Sequence, residues 1–388
     1  MSRRRWVILA VAVAAQAATS ALVYGLPFVI PALRAEENLT LAEAGTLTVI
    51  PILGLLLALI AWGAAADRFG ERIVMTIGMA GAGSATLAAA IVPGIVPLGA
   101  LLVAAGAFSA AISAASGRAV LGWFDVRERG LAMGIRQTCQ PIGVGIAALT
   151  LPPAAQAWGY RSALLIPAVF CLAMAVLVAV ALLDPPRKPG AELRATRSPY
   201  RFARLWRVHL ASALLVGPQF VAGTFALTYL VTEQGWHAVT AGAALAAVQV
   251  AGAAGRIGAG VWSDRVASRM RPMRTIAVAA ALAMLVWAVG DAVAPWLAAV
   301  GLVAAMIISV TDNGLAFTAT AELAGPAWAG RALGIQNTGQ NGMALAVAPV
   351  FATVVTAIGW PWALAVAAAL PAAAVLLTPV RGETLEPL

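Results

Sequence analysis

An all-α membrane protein of twelve transmembrane helices, arranged as two pseudo-symmetric six-helix bundles, is the fold class this sequence predicts. Three observations point there. Apolar runs of bilayer length recur down nearly the whole chain, basic residues between them alternate sides, and short motifs of the first half return in the second. A water-soluble globule is excluded by composition: 62% of the 388 residues are hydrophobic and 11% charged, with mean hydropathy +0.90. Soluble domains hold about 45–50% apolar and about 25% charged residues.

A hydrocarbon core of about 30 Å takes about 20 residues of helix at about 1.5 Å each. In the first half the runs of that length are Trp6–Leu33, Ala44–Ala66, Ile73–Val92, Pro97–Ser116, Leu131–Leu151 and Ser162–Leu183. In the second they are Val208–Val231, Val239–Trp262, Thr275–Val293, Pro295–Thr318, Ala332–Ile358 and Pro361–Val380. Arg3 to Arg5 before Trp6 have the look of a signal-peptide start, but the apolar run continues through Leu22 to Leu33 and predicts an uncleaved first span.

The net charge of +9 invites a nucleic-acid reading, which the placement of the charges excludes. With the N-terminus in the cytoplasm, Arg68, Arg72, Arg127, Arg129, the central connection, Arg265, Arg269, Arg271, Arg274, Arg331 and Arg381 all fall inside, and only Arg34 and Arg161 outside. That bias predicts both termini on the cytoplasmic side of an inner membrane. The connection from Asp184 to Arg207, with Pro185, Pro186, Pro189, Lys188 and six arginines, is the domain boundary: 1–183 and 208–388 are the bundles and 184–207 a basic cytoplasmic linker. Its end, Tyr200–Trp206, reads equally as a surface-lying amphipathic helix or as solvated linker. Cys139 and Cys171 lie inside apolar runs as packing residues, no metal or cofactor constellation is visible, and an enzyme is not expected.

The internal repeat is the most specific signal. Gly63-Ala-Ala-Ala-Asp67-Arg68 after the second span returns as Gly260-Val-Trp-Ser-Asp264-Arg265 after the eighth, and Ala132-Met-Gly134-Ile-Arg136-Gln137-Thr138 in the fifth as Ala332-Leu-Gly334-Ile-Gln336-Asn337-Thr338 in the eleventh. The offsets, 264 − 67 and 334 − 134, are 197 and 200, half the chain in each case. Parallel repeats of this kind characterise transporters that hold a solute between their halves.

On these residues the chain resembles the major facilitator superfamily over essentially its full length, Gly63–Arg72 (GAAADRFGER) being similar to the signature between that family's second and third spans and Gly260–Arg265 to its second copy. The resemblance implies a secondary transporter working by alternating access, usually as a monomer. It also implies a cytoplasmic gate in which Asp67 and Arg68 form a latch, with Arg118, Arg127 or Arg129 as partners. Gly63 permits close packing and Gly70 a tight turn, and Arg72, Asp264 and Arg265 complete the gate.

Ionisable groups inside a span cost several kcal/mol unless paired or wet, so each is a functional candidate. Arg136, Arg256 and Asp312 qualify, each about 10 Å inside the cytoplasmic boundary. Gln249 shares a helix face with Arg256, whose fork suits a carboxylate; by resemblance, an arginine so placed binds the anion in monocarboxylate carriers. Asp312, beside Ser309 and Asn313, is the candidate for proton coupling, with a structural Arg256–Asp312 pair as the plain alternative; Glu322 reads as loop. The family's architecture brings spans five and eight together, and two and eleven, implying a central solute site of Arg136, Arg256, Gln140, Gln336, Asn337, Gln340 and Asn341, with Tyr24, Gln16, Gln219 and Tyr229 as further candidates. The expected cargo is a small organic anion moved with protons. Drug or hydrophobic-metabolite efflux by proton antiport is the alternative, against which Leu102 stands where drug antiporters carry an arginine, and Gln140-Pro141-Ile142-Gly143 replaces their Gly-Pro pair.

Overall fold

Inside hydrocarbon no water can satisfy a peptide group, so the chain must bond its backbone within each segment, and helices do that. The computed structural model describes residues 2–39, 41–185, 198–381 and 383, and every regular element among them is helical. Helix α1 (Ser2–Gly25) passes through a 3₁₀ turn at Leu26–Val29 into α2 (Ile30–Glu37). There follow α3 (Leu41–Phe69), α4 (Glu71–Ile91), α5 (Ile95–Leu121), α6 (Arg129–Arg136) and α7 (Cys139–Ala181). The second half runs α8 (Ala203–Thr232), α9 (Ala238–Arg265), α10 (Met270–Val293), α11 (Pro295–Ile308), α12 (Asn313–Ala324), α13 (Ala329–Ile358) and α14 (Trp360–Leu377).

Among the described residues, eleven continuous stretches are long and apolar enough to cross a bilayer. The longest, Arg129–Ala181, has 53 residues and would reach about 80 Å, more than twice the hydrocarbon thickness. Gly159 breaks it, with φ 83° and ψ 161°. The stretch is therefore the fifth and sixth spans, and the count is twelve. Gly359, with φ 80° and ψ 169°, makes the equivalent break between α13 and α14 at the same offset of 200. Only glycine holds that backbone region without strain.

Observed limits agree with the sequence reading to within a few residues, with one difference of interest. The seventh span begins at Ala203, so Trp206 lies within α8 and the separate surface helix over Tyr200–Trp206 does not form; Pro199–Arg201 is a single 3₁₀ turn. The cause is local bonding. Arg207 donates to the Leu376 and Leu377 carbonyls at the end of α14 (3.1 and 3.0 Å), while the Tyr200 ring lies tilted against Trp206 at 4.8 Å and its hydroxyl bonds His209 at 3.0 Å. Half of the predicted linker, including Arg187, Lys188, Arg194 and Arg197, lies outside the described residues.

The chain packs as two compact units. One comprises Met1–Phe124, Thr138–Thr196 and Gly325–Thr338, the other Asp125–Gln137, Arg197–Ala324 and Gly339–Leu388. Each takes in one short segment from the opposite half of the sequence, where the fifth and the eleventh spans begin. The first unit's core holds Leu22, Leu59, Met75, Met79, Ile112 and Cys171; the second's holds Tyr229, Met284, Trp287, Leu302 and Leu364. Cys139 and Cys171 are both buried free thiols.

The break at Gly159 generates a prediction. A Cβ there would sit 3.0 Å from a Glu36 carboxylate oxygen in a conformation that L residues resist, whereas one at Gly359 meets only Pro361 at 3.9 Å. Gly159→Ala should cost about 1–3 kcal/mol and lower the melting temperature of the purified protein by about 2–4 °C for each of these. Gly359→Ala should cost less. Equal, unshifted melting of both variants would show that neither break needs its glycine.

Candidate functional site

The repeated Gly-x-x-x-Asp motif has a direct physical explanation. In a helix, residues four apart lie on one face, one turn apart. Gly63 brings the backbone of α3 against that of Gly330 so closely that a Cβ on either residue would collide with the other's carbonyl. One turn on, the Asp67 carboxylate accepts from the backbone N–H groups of Gly330 (2.8 Å) and Arg331 (3.1 Å). The second unit repeats this with Gly260 against Gly130, and Asp264 accepting from Gly130 (2.9 Å) and Leu131 (2.8 Å). The amides belong to the first turns of α13 and α6, which have no helical acceptor and carry the positive end of the helix dipole.

Around each carboxylate stands an arginine, but from opposite elements. In the first unit Arg118 of α5 bonds Asp67 (2.8 Å), Glu71 and the Ala66 carbonyl (2.7 Å), with Arg331 at 3.5 Å from Asp67. In the second the arginine is Arg269, in the turn before α10, and the acid Glu322 is on α12. Arg269 bonds Asp264 (2.5 Å), Glu322 (3.3 Å) and Ser263 (2.7 Å), and Arg129 lies 3.5 Å from Glu322. Burial opposes the charge on Arg269, yet the Glu322 and Asp264 carboxylates outweigh it and raise its pKa further. Glu322, read from sequence as loop, is thus a buried helical residue of this clamp. Sequence reasoning missed it because an acid near a span end looks solvated until its partners are known.

Other gate candidates fall differently. Arg68 is exposed, its guanidinium 5.2 Å from the Phe69 ring centroid, so Asp67 pairs with Arg118 and Arg331 and not with Arg68. Arg127 and Arg265 are exposed as well. Gly70 does make the turn, with φ 90°. Arg72 ties the third span to the sixth: its side chain donates to the Ala179 carbonyl (2.8 Å) and its backbone N–H to Asp184 (2.8 Å). Glu383 does the equivalent work for α10, accepting from the N–H groups of Arg269 (2.6 Å) and Met270 (3.1 Å).

Deeper in the second unit lie the intramembrane charges. Gly134 lets α6 cross α9 at Arg256, where a Cβ would come 2.6 Å from the Arg256 carbonyl oxygen. Arg136 and Arg256, 3% and 6% exposed, both bind Gln137: Arg136 Nη1 donates to its side-chain oxygen (2.7 Å), Arg256 Nη1 to its carbonyl (2.6 Å). Arg256 Nε reaches the Val310 carbonyl (3.2 Å), and Arg136 lies 5.7 Å from the Phe317 ring centroid. Asp312 is fully buried in the turn between α11 and α12, and among the described residues neither of its carboxylate oxygens has a hydrogen-bond partner; the Ser309 hydroxyl has none either. Of the Arg256–Asp312 pair weighed from sequence, no hydrogen bond is formed among the described residues, and Arg256 Nε and Nη1 donate to carbonyls instead.

The amides join in chains. In the second unit Gln340 donates to Ser212 (2.7 Å) and Asn313 (3.4 Å), and Asn313 to Gln219 (3.1 Å). In the first, Gln16 donates to Ser113 (3.1 Å) and accepts from Ser116 (3.0 Å), and Asn337 donates to the Ser113 carbonyl (3.2 Å). Gln140, Tyr24, Gln336 and Asn337 belong to the first unit; Arg136, Arg256, Gln249, Gln219, Gln340 and Asn341 to the second. Gln336 is buried, Gln140, Tyr24 and Asn341 are half-buried, and Gln249 is exposed. Tyr229 serves packing instead, donating to Asp291 (2.7 Å) and lying edge-on to Trp287 and Trp360. Gln137 escaped the sequence reading although its repeat motif was in view; the signal was Pro141, four residues on.

Twelve spans in two repeated halves, each with an aspartate clamp on the start of a helix and buried polar chains within, define the class of secondary membrane transporters. The chain belongs to the Major Facilitator Superfamily, whose family model matches residues 8–346. It is 43% identical over 380 residues to an uncharacterized MFS-type transporter of Mycobacterium tuberculosis, Rv2994, covering 97% of this chain and 85% of the relative. It is 29% identical over 286 residues to the probable nitrate/nitrite transporter NarK2 of the same organism, 72% of each chain. Among solved structures, the proton:xylose symporter XylE superposes with a TM-score of 0.80 at 15% identity, covering 100% of this chain and 98% of that one, a likeness of fold.

The clamp is open to test. Asp264→Ala removes the acceptor of two amides and leaves Arg269 with one carboxylate fewer, a loss of about 3–5 kcal/mol for a broken buried pair. Its melting temperature should fall well below that of Asp264→Asn, which keeps one acceptor oxygen, with wild type highest. Identical melting of all three would remove the clamp from any structural role.

Proposed function

We propose that this transporter carries a small organic anion, a monocarboxylate above all, across a bacterial cytoplasmic membrane by alternating access, together with protons. The observation that carries the reading is the buried Arg136 and Arg256 meeting at Gln137. Two guanidinium groups that share Gln137 as an acceptor offer forks suited to a carboxylate inside the span. Asp312 is the group that exchanges the proton, since it is a fully buried carboxylate within the field of Arg256. The amides Gln219, Gln340, Asn341, Gln140, Gln336, Asn337 and Gln249, with Tyr24, supply uncharged donors and acceptors for the rest of the solute. The clamps on Asp67 and Asp264 are the cytoplasmic gate, Gly63, Gly70 and Arg72 shaping it, and they let go once in each cycle. Both termini lie in the cytoplasm on the strength of the Lys/Arg bias, and the working unit is a monomer in the bilayer.

A second reading has its own support. NarK2 is a probable nitrate/nitrite transporter, and a paired-arginine site suits a small planar oxyanion as well as a carboxylate.

Reconstituted protein under an imposed pH gradient separates these readings. Labelled acetate, lactate or pyruvate should accumulate in the wild type. Losing a charged hydrogen bond worth about 1.5–3 kcal/mol, Arg256→Ala should raise the KM about 10- to 100-fold. Unaltered anion uptake by R256A ends the anion reading, and competition by nitrate or nitrite but by no carboxylate turns it to the inorganic ion. Asp312→Asn should abolish accumulation driven by the pH gradient while solute counterflow continues; gradient-driven accumulation by that variant rules Asp312 out as the coupling group.

A further inference from the structure

The fifth span is interrupted close to its start. Helix α6 ends at Arg136 and α7 begins at Cys139, with Gln137 and Thr138 in a turn between them. The cause stands four residues on. In a helix the Gln137 carbonyl would accept from the amide of residue 141, but that residue is Pro141, which has no N–H and whose ring crowds the carbonyl four places back. In the eleventh span the corresponding residues are Asn337 and Asn341, an amide is available, and α13 runs unbroken from Ala329 to Ile358.

A carbonyl deprived of its helical partner inside the bilayer is costly. Here Arg256 Nη1 takes it, at 2.6 Å. The side-chain oxygen of the same Gln137 takes Arg136 Nη1 at 2.7 Å. The second acceptor of Arg256, the Val310 carbonyl, also lies in a helix interruption, the turn 309–312 between α11 and α12. Two breaks in two spans thus supply the acceptors that orient one guanidinium, and a single residue joins it to the other.

We infer that Gln137 is the positioning residue of the arginine pair, and that Pro141 is what releases its carbonyl for that purpose. Neutral acceptors suit the task. An amide oxygen and a carbonyl orient a guanidinium without adding a counter-charge of their own. In its bearing on the solute this rests on the anion reading above; the coupling of Pro141 to Arg256 does not.

The experiment has two arms. The first needs no ligand: melting temperatures of purified full-length wild type, P141A, R256A and the double variant. P141A supplies an N–H that can close on the Gln137 carbonyl, so it should stabilise the R256A protein more than the wild type, where Arg256 already holds that oxygen. A non-additivity of about 2–4 °C is expected, and additive shifts overturn the inference whatever the protein carries. The second arm is uptake of labelled lactate into proteoliposomes. Gln137→Ala should raise KM about tenfold with kcat within about twofold, Gln137→Glu should abolish uptake, and Gln137→Asn should recover part of the affinity. An unchanged KM in Q137A overturns the positioning role. If wild type takes up no carboxylate, nitrate or nitrite while the melting cycle is non-additive, the anion reading falls and the Gln137–Arg256 coupling stands.

Discussion

The first turn of a helix has amide groups that nothing within the helix can accept, and a membrane supplies no water to do so. Much of this structure follows from that deficit. Asp67 and Asp264 each take two such amides, and the glycine one turn earlier on the same face allows the backbone approach that makes the bond short enough. Asp184 and Glu383 meet the same need at the starts of α4 and α10. Four carboxylates placed at four helix starts form two equivalent sets, one in each unit. The arginines around them follow as counter-charges, since a buried carboxylate with amide donors alone would still be incompletely compensated.

The internal repeat turns the molecule into its own control. Positions that agree between the halves serve the fold: Gly63 with Gly260, Asp67 with Asp264, Gly130 with Gly330, Gly159 with Gly359. Positions that differ carry the intramembrane charges. Leu59 of the first half corresponds to Arg256, Gln336 of the second to Arg136, Ile112 to Asp312, and Asn341 to Pro141. The correspondence is structural as well as sequential, because Gly334 packs against the Leu59 carbonyl as Gly134 does against that of Arg256. Three of these departures put a charge into the second unit, and the fourth, Pro141, frees the carbonyl that Arg256 bonds. The halves share a scaffold and divide the labour.

How much of this could be read from sequence depends on the kind of signal. Span number and limits were legible because bilayer thickness fixes how many apolar residues must stand in a row, and the repeat was legible because Gly-x-x-x-Asp is local. The buried charges Arg136, Arg256 and Asp312 announced themselves by their cost. Partners did not, since they depend on which elements cross. Arg68 looked like the mate of Asp67 by adjacency, but adjacent helical residues point about 100° apart, and Arg118, from another span, fills that place. Glu322 looked solvated until Arg129 and Arg269 stood beside it. Helix breaks were half legible: Pro141 was visible, yet its consequence for Gln137 appears only once Arg256 is seen to occupy the freed oxygen.

The tenth span shows what these departures cost. Its counterpart, α5, runs unbroken past the equivalent positions, and Ser109 there returns its hydroxyl to the Ala105 carbonyl at 2.8 Å. In the second unit the equivalent Ser309 hydroxyl has no partner among the described residues, the helix is interrupted, and a carboxylate without a hydrogen bond replaces Ile112. Each unsatisfied buried group costs about 1–3 kcal/mol, more when charged, and the first unit demonstrates that the same fold accommodates an apolar, fully bonded version. Selection for stability alone would favour that version in both halves. The costly one stands on the span whose broken turn also gives Arg256 an acceptor, the Val310 carbonyl, so one interruption both strands a carboxylate and orients an arginine.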